Sequence, residues 1–160
     1  MYDFSADPTL PKPELYRELL CAADGLTAGE SDAVANMANV AALLGQLVPA
    51  LNWAGFYRLV DGELVLGPFW GKPACIRIPL GQGVCGTAAL RKATQRVADV
   101  HAFPGHIACD GASRSELVVP VLREGEVIAV IDLDSPRPGR FDGEDQAGIE
   151  ALAALVAGRI

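Results

Sequence analysis

Basic residues are scarce in this sequence. Its 160 residues contain 13 Lys and Arg but 20 Asp and Glu, which gives a net charge of −7 and a pI near 4.7. A surface with this charge repels phosphate backbones and anionic lipid headgroups. We therefore expect no nucleic acid and no membrane among the partners of this protein.

Long apolar runs are missing as well. No stretch approaches the roughly 20 apolar residues that a membrane-spanning helix needs. Residues 1–13 contain acids and prolines instead of the basic and apolar segments of a secretory signal, so we expect a cytoplasmic protein. Its four cysteines are too few for a disulfide scaffold. In a reducing compartment they point to a catalytic, redox or metal-binding use.

The length and composition favour one globular domain over residues 1–160, since 51% of the residues are hydrophobic. We expect helices near both ends of the chain, where apolar residues recur at helical spacing: 13–24, 32–48 and 146–159. Ser31 and Asp142 are the expected N-caps of the last two helices.

Six segments between these helices have the composition and alternation of strands: 52–60, 63–70, 76–80, 95–99, 116–122 and 127–134. Asp61 and Gly62 form a turn signal between the first two strands. Helices on both sides of strands that are joined largely by tight turns predict an α+β fold with a mainly antiparallel sheet.

Residues 81–86 have the pattern G-x-G-x-x-G, which is typical of dinucleotide-binding folds when it lies between a strand and a helix. The context argues against that function, because Pro79 interrupts the preceding strand and the helix expected in residues 87–92 is under two turns long. Glycines that permit a tight turn into a helix explain the pattern better. Cys85 then lies near a helix N-terminus, where the partial positive charge favours a thiolate.

One long irregular connection, residues 100–115, contains His101, His106 and Cys109. Loops of this length in a compact domain are often functional. These side chains suit a metal ion, so a metal-dependent hydrolase is one hypothesis. No C-x-x-C or H-E-x-x-H spacing supports it. We predict no metal site, and two surface histidines without a special role are the alternative.

The cysteines differ in their surroundings. Cys75, Cys85 and Cys109 lie in segments rich in glycine, proline and small residues, whereas Cys21 falls in a helical pattern and is expected to be a small core or boundary side chain. Three cysteines in loops suit a nucleophile with resolving partners, in which a thiolate is oxidised to sulfenic acid and then captured as a disulfide. Incidental cysteines are the alternative.

Three acids are expected on one face of the sheet. Asp132 and Asp134 are two residues apart on a strand and therefore point the same way. A three-residue hairpin loop, 123–125, would place Glu116 opposite Asp132, whereas a two-residue loop, 124–125, would separate the acids. We expect the longer loop, because Glu is a poor residue for a positive φ. Opposed like charges then imply a cationic ligand or a raised pKa; a solvated strand end is the alternative for Asp134.

Trp53 and Tyr57 share a face of the first strand, about 13 Å apart at the usual rise per residue. Aromatic residues in an antiparallel strand most often pack in the core. Beside acids they form, alternatively, the wall of an apolar pocket that accepts a cation.

Five segments, together with the strand that ends IDLDS at residues 131–135, match a known family: 52–57 (NWAGFY), 67–75 (GPFWGKPAC), 81–86 (GQGVCG), 103–110 (FPGHIACD) and 115–120 (SELVVP). Together they closely resemble the free methionine-(R)-sulfoxide reductases, which are GAF-domain enzymes. The resemblance covers nearly the whole chain. General GAF modules share the fold but lack this set of cysteines.

The resemblance implies a GAF-like fold with a six-stranded, mainly antiparallel sheet flanked by N- and C-terminal helices. It implies reduction of free L-methionine-(R)-S-oxide to L-methionine, with no bound cofactor and with thioredoxin as external reductant. The implied roles are Cys109 as nucleophile, Cys75 and Cys85 as partners in the later disulfides, Trp53 and Tyr57 as pocket walls, and Glu116, Asp132 and Asp134 as the acids that bind the substrate's polar groups.

The chemistry of a sulfoxide agrees with these roles. Its sulfur is electrophilic but its oxygen is a poor leaving group, so attack by the Cys109 thiolate needs a proton donor. Glu116, kept protonated by neighbouring acids and partial burial, is the first candidate. A GAF sensor that binds a small ligand without transforming it is the alternative function. The apolar stripes of the terminal helices also allow a homodimer.

Overall fold

The computed structural model describes residues 9–105 and 111–160. Over these residues the chain forms four helices and six strands, with a short 3₁₀ turn at Val100–Ala102. In chain order they are α1 Lys12–Thr27, α2 Ala33–Leu47, β1 Trp53–Val60, β2 Glu63–Gly71, β3 Arg77–Pro79, α3 Gly83–Arg91, β4 Gln95–Val97, β5 Ser115–Arg123, β6 Glu126–Ser135 and α4 Gly143–Val156. The α+β class is confirmed. None of the helices in the described ranges is both long and apolar enough to cross a membrane.

The six strands form a single sheet in the order β3-β2-β1-β6-β5-β4, and every pairing in it is antiparallel. The expected hairpin between β1 and β2 turns at Asp61 and Gly62, which both have positive φ, +51° and +82°. Two central strands, β1 and β6, therefore lie side by side with β5 next to them. These three strands carry the aromatic and acidic residues that were predicted for the site.

The two faces of the sheet are covered differently. Helices α1, α2 and α4 pack on one face, where they bury Phe56, Leu117 and Ile131 among other apolar side chains. The short helix α3 packs on the opposite face, against Tyr57 and Val130. Because side chains alternate along a strand, the large core stabilises one face and leaves the other to a small helix and to polar residues.

The N-cap of α2 and the start of α3 differ from the sequence prediction, and α4 begins at Gly143 rather than at residue 146. The N-cap of α2 is Asp32, one residue after the expected Ser31, and its carboxylate accepts a hydrogen bond from the backbone N–H of Ala35. Helix α3 begins at Gly83, before the expected residue 87, and has nine residues. Asp142 caps α4 as expected, in a capping box with Asp145.

The glycine-rich segment forms a tight turn into α3, and that interpretation is confirmed. Gly81 and Gly83 have φ of +82° and +60°, which glycine adopts without steric cost. A Cβ on Gly86 would lie 2.3 Å from the carbonyl oxygen of Pro79, so this glycine permits the close contact between α3 and the end of β3. The antiparallel sheet has no crossover of the dinucleotide-binding type.

The β5–β6 hairpin differs from the expected register. Its loop has two residues, Glu124 and Gly125, with φ of +53° and +80°, so the three-residue loop is wrong. A bulge next to Val121 and Leu122 shifts the pairing by one more residue. As a result Glu116 lies opposite Asp134 rather than Asp132. The bulge restores the parity that the short loop alone would have broken, and the three acids still share one face.

Candidate active site

The candidate site lies on the α3 face, where β1, β6 and β5 run side by side. Trp53 pairs with Asp134, and Gly55 pairs with Asp132. Glu116 follows on the next strand, opposite Asp134. Aromatic residues of β1 thus stand next to acids of β6 and β5, the arrangement that the sequence analysis gave as the alternative to simple core packing.

Three aromatic rings, those of Trp53, Tyr57 and Phe69, stack beside the acids and are here called the aromatic wall; Trp53 and Tyr57 are only 3% and 1% exposed. The Trp53 ring stacks on Tyr57 with centroids 5.9 Å apart and on Phe69 with centroids 5.4 Å apart. Gly55 makes this possible, because a Cβ there would lie 2.8 Å from the Trp53 ring and 2.5 Å from the Cβ of Phe69. Phe69 is a wall residue that the sequence analysis missed, although it is paired with Gly55 across the β1–β2 hairpin.

The polar atoms of the aromatic wall hold the segment between β2 and β3. The indole Nε1–H of Trp53 donates to the carbonyl oxygen of Lys72 at 3.1 Å. The hydroxyl of Tyr57 donates to the carbonyl oxygen of Cys75 at 3.0 Å. Burial, followed by the nearby charge of Asp132, raises the pKa of Tyr57, so this hydroxyl stays a neutral donor. The wall and the segment that carries Cys75 are therefore fixed to each other.

Cys85, Glu116 and Asp132 form a compact buried group, here called the thiol–carboxyl cluster. Their side chains come from α3, β5 and β6, and the residues are only 4%, 6% and 5% exposed. One potential ligand atom from each lies within 4.8 Å of the other two. The thiol of Cys85 donates to Oε1 of Glu116 at 3.9 Å. Oδ1 of Asp132 is buried and has no hydrogen-bond partner within the described ranges.

Burial dominates the electrostatics of this cluster. It raises the pKa of Glu116 well above the usual value, and the charges of Asp132 and Asp134 raise it further. Burial and Asp134 likewise raise the pKa of Asp132. Water solvates a carboxylate far better than this site does, so at least one carboxyl is kept protonated at pH values where an exposed one is ionised.

The thiol of Cys85 follows the same physics, and the expected thiolate is wrong. Cys85 is the third residue of α3, near the positive end of the helix dipole. Burial nevertheless raises its pKa well above the usual value, with further contributions from Asp132 and Glu116. Desolvation next to two acids outweighs the helix terminus.

The other predicted cysteines are distributed as follows. Cys75, after β2, is disulfide-bonded, and Cys21 and Cys85 are free thiols. Cys21 is exposed on α1, so its expected place in the core or at its boundary is wrong. Cys109 lies outside the described residues.

The loop histidines are only partly covered. His101 is exposed in the 3₁₀ turn, where its backbone N–H donates to the Asp99 carboxylate. His106 lies outside the described residues. In the part of the chain that is described, the thiol–carboxyl cluster is the only group of three or more potential metal ligands, and it differs from the set that the sequence suggested.

Both ends of the segment that carries Cys109 are attached at the edge of the site. The backbone N–H of Val100 donates to the carbonyl oxygen of Arg114 at 2.9 Å, which joins the two ends. The side-chain amide of Asn52 donates to Oγ of the buried Ser113 at 3.0 Å. Asn52 is the residue before β1, and Ser113 lies shortly before β5. The ends of the segment therefore lie near Trp53 and Glu116.

Comparison with known proteins identifies relatives of this chain. A model of the GAF domain matches residues 32–160. The free methionine-R-sulfoxide reductase of Escherichia coli (strain K12) is 52% identical over 143 residues, which cover 89% of this chain and 87% of that protein. The enzyme of the same name from Saccharomyces cerevisiae is 44% identical over 155 residues, which cover 92% of this chain and 86% of that protein.

A solved structure extends the similarity to three dimensions. The X-ray structure of free methionine-R-sulfoxide reductase from Neisseria meningitidis in complex with its substrate has a TM-score of 0.93 and 43% sequence identity, and the match covers 99% of this chain and 95% of that chain. Both the predicted fold and the predicted family are thereby confirmed. The chain belongs to the GAF-domain family of free methionine-R-sulfoxide reductases.

Proposed function

We propose that this protein reduces free methionine-(R)-sulfoxide to methionine. The observation that carries the proposal is the buried pair of Glu116 and Asp132 next to a stacked aromatic wall. A structural neighbour that is 43% identical is a free methionine-R-sulfoxide reductase in complex with its substrate. The acids can bind the amino group of a small oxidised thioether, and the aromatic wall can contact its apolar part.

The wall and the acids divide the substrate between them. Trp53 and Tyr57 offer an apolar surface to the methyl group, and their electron-rich faces tolerate the partial positive charge of the sulfinyl sulfur. Asp134 is half-exposed and lies opposite Glu116, in a suitable position for a carboxylate that pairs with the substrate ammonium. Asp132 completes the acidic side of the site.

Glu116 is the proposed proton donor. Its burial and the nearby charges of Asp132 and Asp134 raise its pKa, which favours the protonated form that a proton donor needs. Cys109 attacks the sulfur as a thiolate, and Glu116 protonates the oxygen. The resulting hydroxyl passes to the Cys109 sulfur as the new sulfur–sulfur bond and the S–O bond of the substrate break, and methionine leaves as the thioether. The sulfoxide gains two electrons and the Cys109 sulfur loses two, which leaves it as sulfenic acid.

Cys75 is the stronger candidate for the first resolving thiol. It is a disulfide-bonded cysteine in this structure, whereas Cys85 is a buried free thiol with a raised pKa. Attack of a thiol on the sulfenic acid releases water and forms a disulfide. Thioredoxin, a dithiol, is the proposed reductant that restores the two thiols.

The test is an assay coupled to NADPH through thioredoxin and its reductase. We expect NADPH consumption with free methionine-(R)-sulfoxide and none with the S epimer or with a peptide-bound sulfoxide. Binding of the R epimer without NADPH consumption would contradict the proposal and favour a GAF sensor. A cytoplasmic location and a homodimer stay predictions.

A further inference from the structure

The thiol–carboxyl cluster brings together three potential metal ligands, one thiol and two carboxyls, that are far apart in the sequence. Cys85 is the third residue of α3 and Glu116 the second residue of β5, while Asp132 lies near the end of β6. Their potential ligand atoms are all within 4.8 Å of one another. Three such atoms at this spacing are close enough to share one ion after small side-chain adjustments.

One oxygen atom of the cluster lacks a partner, which a bound cation would supply. Oδ1 of Asp132 is buried and has no hydrogen-bond partner among residues 9–105 and 111–160, and the whole residue is only 5% exposed. A buried acceptor without a partner is costly, and native structures contain few of them. The neighbouring groups of the cluster, Glu116 and Cys85, carry no positive charge that could pair with Asp132. A cation between the three groups would coordinate this oxygen and offset the negative charge.

The ligand types select the class of ion. A thiolate with two carboxylates suits Zn²⁺ and related ions that bind sulfur, whereas Mg²⁺ demands an octahedron of oxygen ligands. With Zn–S and Zn–O bonds of about 2.3 Å and 2.0 Å, tetrahedral ligands lie about 3.5 Å apart. The separation of 3.9 Å between Sγ of Cys85 and Oε1 of Glu116 therefore needs an adjustment of only a few tenths of an ångström.

We propose that Cys85, Glu116 and Asp132 form a binding site for a divalent cation of the Zn²⁺ class, and that the bound ion blocks the acids that hold the substrate. The inhibitory part rests on the proposed function, whereas the metal site does not. Binding involves no change of oxidation state. The thiol and any protonated carboxyl release their protons to solvent, and three bonds to the metal form in their place. The sequence analysis predicted no metal site and considered only the loop histidines with Cys109.

The test measures metal binding on the full chain, kept reduced with a phosphine. Co²⁺ serves as the spectroscopic probe, and Zn²⁺ affinity is measured by competition with a chromophoric chelator. We expect one ion per chain and a sulfur-to-cobalt charge-transfer band. Removing a group that only supports a metal ligand weakens metal binding by up to about 100-fold. Cys85→Ala removes a ligand itself, so it should remove the band and weaken Zn²⁺ binding by at least about 100-fold. Mg²⁺ should not compete.

Two matched controls distinguish this cluster from other thiols. Cys21→Ser changes an exposed thiol and Cys75→Ser changes the thiol after β2, and both should keep the band and the affinity.

If Cys85→Ala fails to fold by circular dichroism, Glu116→Gln replaces it and should keep the band but weaken Zn²⁺ binding. Absence of binding, a band that persists in Cys85→Ala, or a band lost in Cys75→Ser would each overturn the proposal.

A second arm separates the metal site from the reductase activity. Free methionine-(R)-sulfoxide should weaken Zn²⁺ binding, and Zn²⁺ should raise the apparent KM for the sulfoxide. Zinc binding at the cluster without any reduction of the sulfoxide would contradict only the proposed function. Reduction of the sulfoxide by a protein that binds no Zn²⁺ would contradict only the metal site.

Discussion

Gly55 determines how closely the aromatic rings approach each other. It lies between Trp53 and Tyr57 on β1 and opposite Asp132 on β6. The space that its missing side chain leaves is occupied by the Trp53 ring and by Phe69. One glycine thus permits the close packing of Trp53 and Phe69 next to Asp132.

We expect Gly55→Ala to separate the rings and lower the affinity for the sulfoxide. Its Cβ would lie 2.5 Å from the Cβ of Phe69, and overpacking of this kind costs about 1–3 kcal/mol of folding stability. Urea unfolding and KM measurements check both effects. Gly25→Ala, in an exposed part of α1 with no atom within 4 Å of the new Cβ, is the matched control and should be neutral or stabilising. Equal KM values for Gly55→Ala and wild type would contradict this account.

The cysteines differ in their access to a redox cycle. Cys75 already forms a disulfide, and the hydroxyl of Tyr57 holds its carbonyl oxygen. Cys85 is enclosed by Glu116 and Asp132. In the proposed cycle we therefore expect Cys75 to form a disulfide before Cys85 does.

We expect the double variant Cys75→Ser/Cys85→Ser, which keeps Cys109, to make at most one methionine per chain. Without a resolving thiol, the sulfenic acid has no intramolecular partner and thioredoxin has no disulfide to reduce. A rapid-quench count of methionine per chain measures this, with Cys21→Ser as the control that keeps full turnover. Repeated turnover of the double variant with thioredoxin as sole reductant would refute the resolving role.

At the level of elements, the β5–β6 hairpin sets the geometry of the acids. Its two-residue loop requires positive φ at both positions, and Glu124 occupies the first of them with a φ of +53°. The bulge near Val121 then adds the residue that returns Glu116 and Asp132 to the same face. Loop and bulge act together, and either one alone would place Glu116 on the opposite face of the sheet.

We expect Glu124→Asn to stabilise the protein by a few tenths of a kcal/mol up to about 1 kcal/mol, since Asn adopts positive φ more readily than Glu. Glu124 is exposed at the turn of the hairpin, far along both strands from Glu116 and Asp132, so kcat and KM should not change. Thermal or urea unfolding measures the gain. A loss of stability, or a changed KM, would show that the loop has another conformation in solution.

The sequence predicts the strands and most helices because alternation and helical spacing are local patterns. It does not predict the register of β5 and β6, because the bulge depends on packing between strands. Phe69 is missed for the same reason, since only the pairing of β2 with β1 brings it to Trp53. The Cys85 thiolate is a wrong prediction because burial comes from the tertiary fold, whereas the helix N-terminus is visible in the sequence.

At the scale of the whole molecule, stability and function are divided between the two faces of the sheet. Helices α1, α2 and α4 cover one face with a continuous apolar core. The α3 face carries two buried acids with raised pKa values, Glu116 and Asp132. The first face therefore has to offset the unfavourable burial of acids on the second.

This division predicts the pH dependence of stability. A carboxyl whose pKa is raised in the folded state favours the folded protein below its ordinary pKa, and that contribution is lost as pH rises through the folded value. For Glu116 the ordinary value is 4.5. We expect the free energy of unfolding of wild type to fall as pH rises above this ordinary value, and to fall less in Glu116→Gln, which cannot ionise.

Urea unfolding at a series of pH values measures these slopes. Glu124→Gln, which removes an exposed acid from the hairpin loop, is the matched control and should keep the wild-type slope. A Glu116→Gln variant whose slope equals that of wild type, or exceeds it, would contradict a buried carboxyl with a raised pKa.

The proposed reaction is tested most directly by the products formed from a mixture of the two sulfur epimers of free L-methionine sulfoxide. The protein is incubated with equal amounts of the R and S epimers and an excess of thioredoxin and its reducing system, and methionine and both epimers are quantified by chromatography. We predict complete loss of the R epimer, an equal amount of methionine, and an unchanged S epimer, with no methionine from Cys109→Ser. Consumption of the S epimer, or methionine formed by Cys109→Ser, would contradict the account.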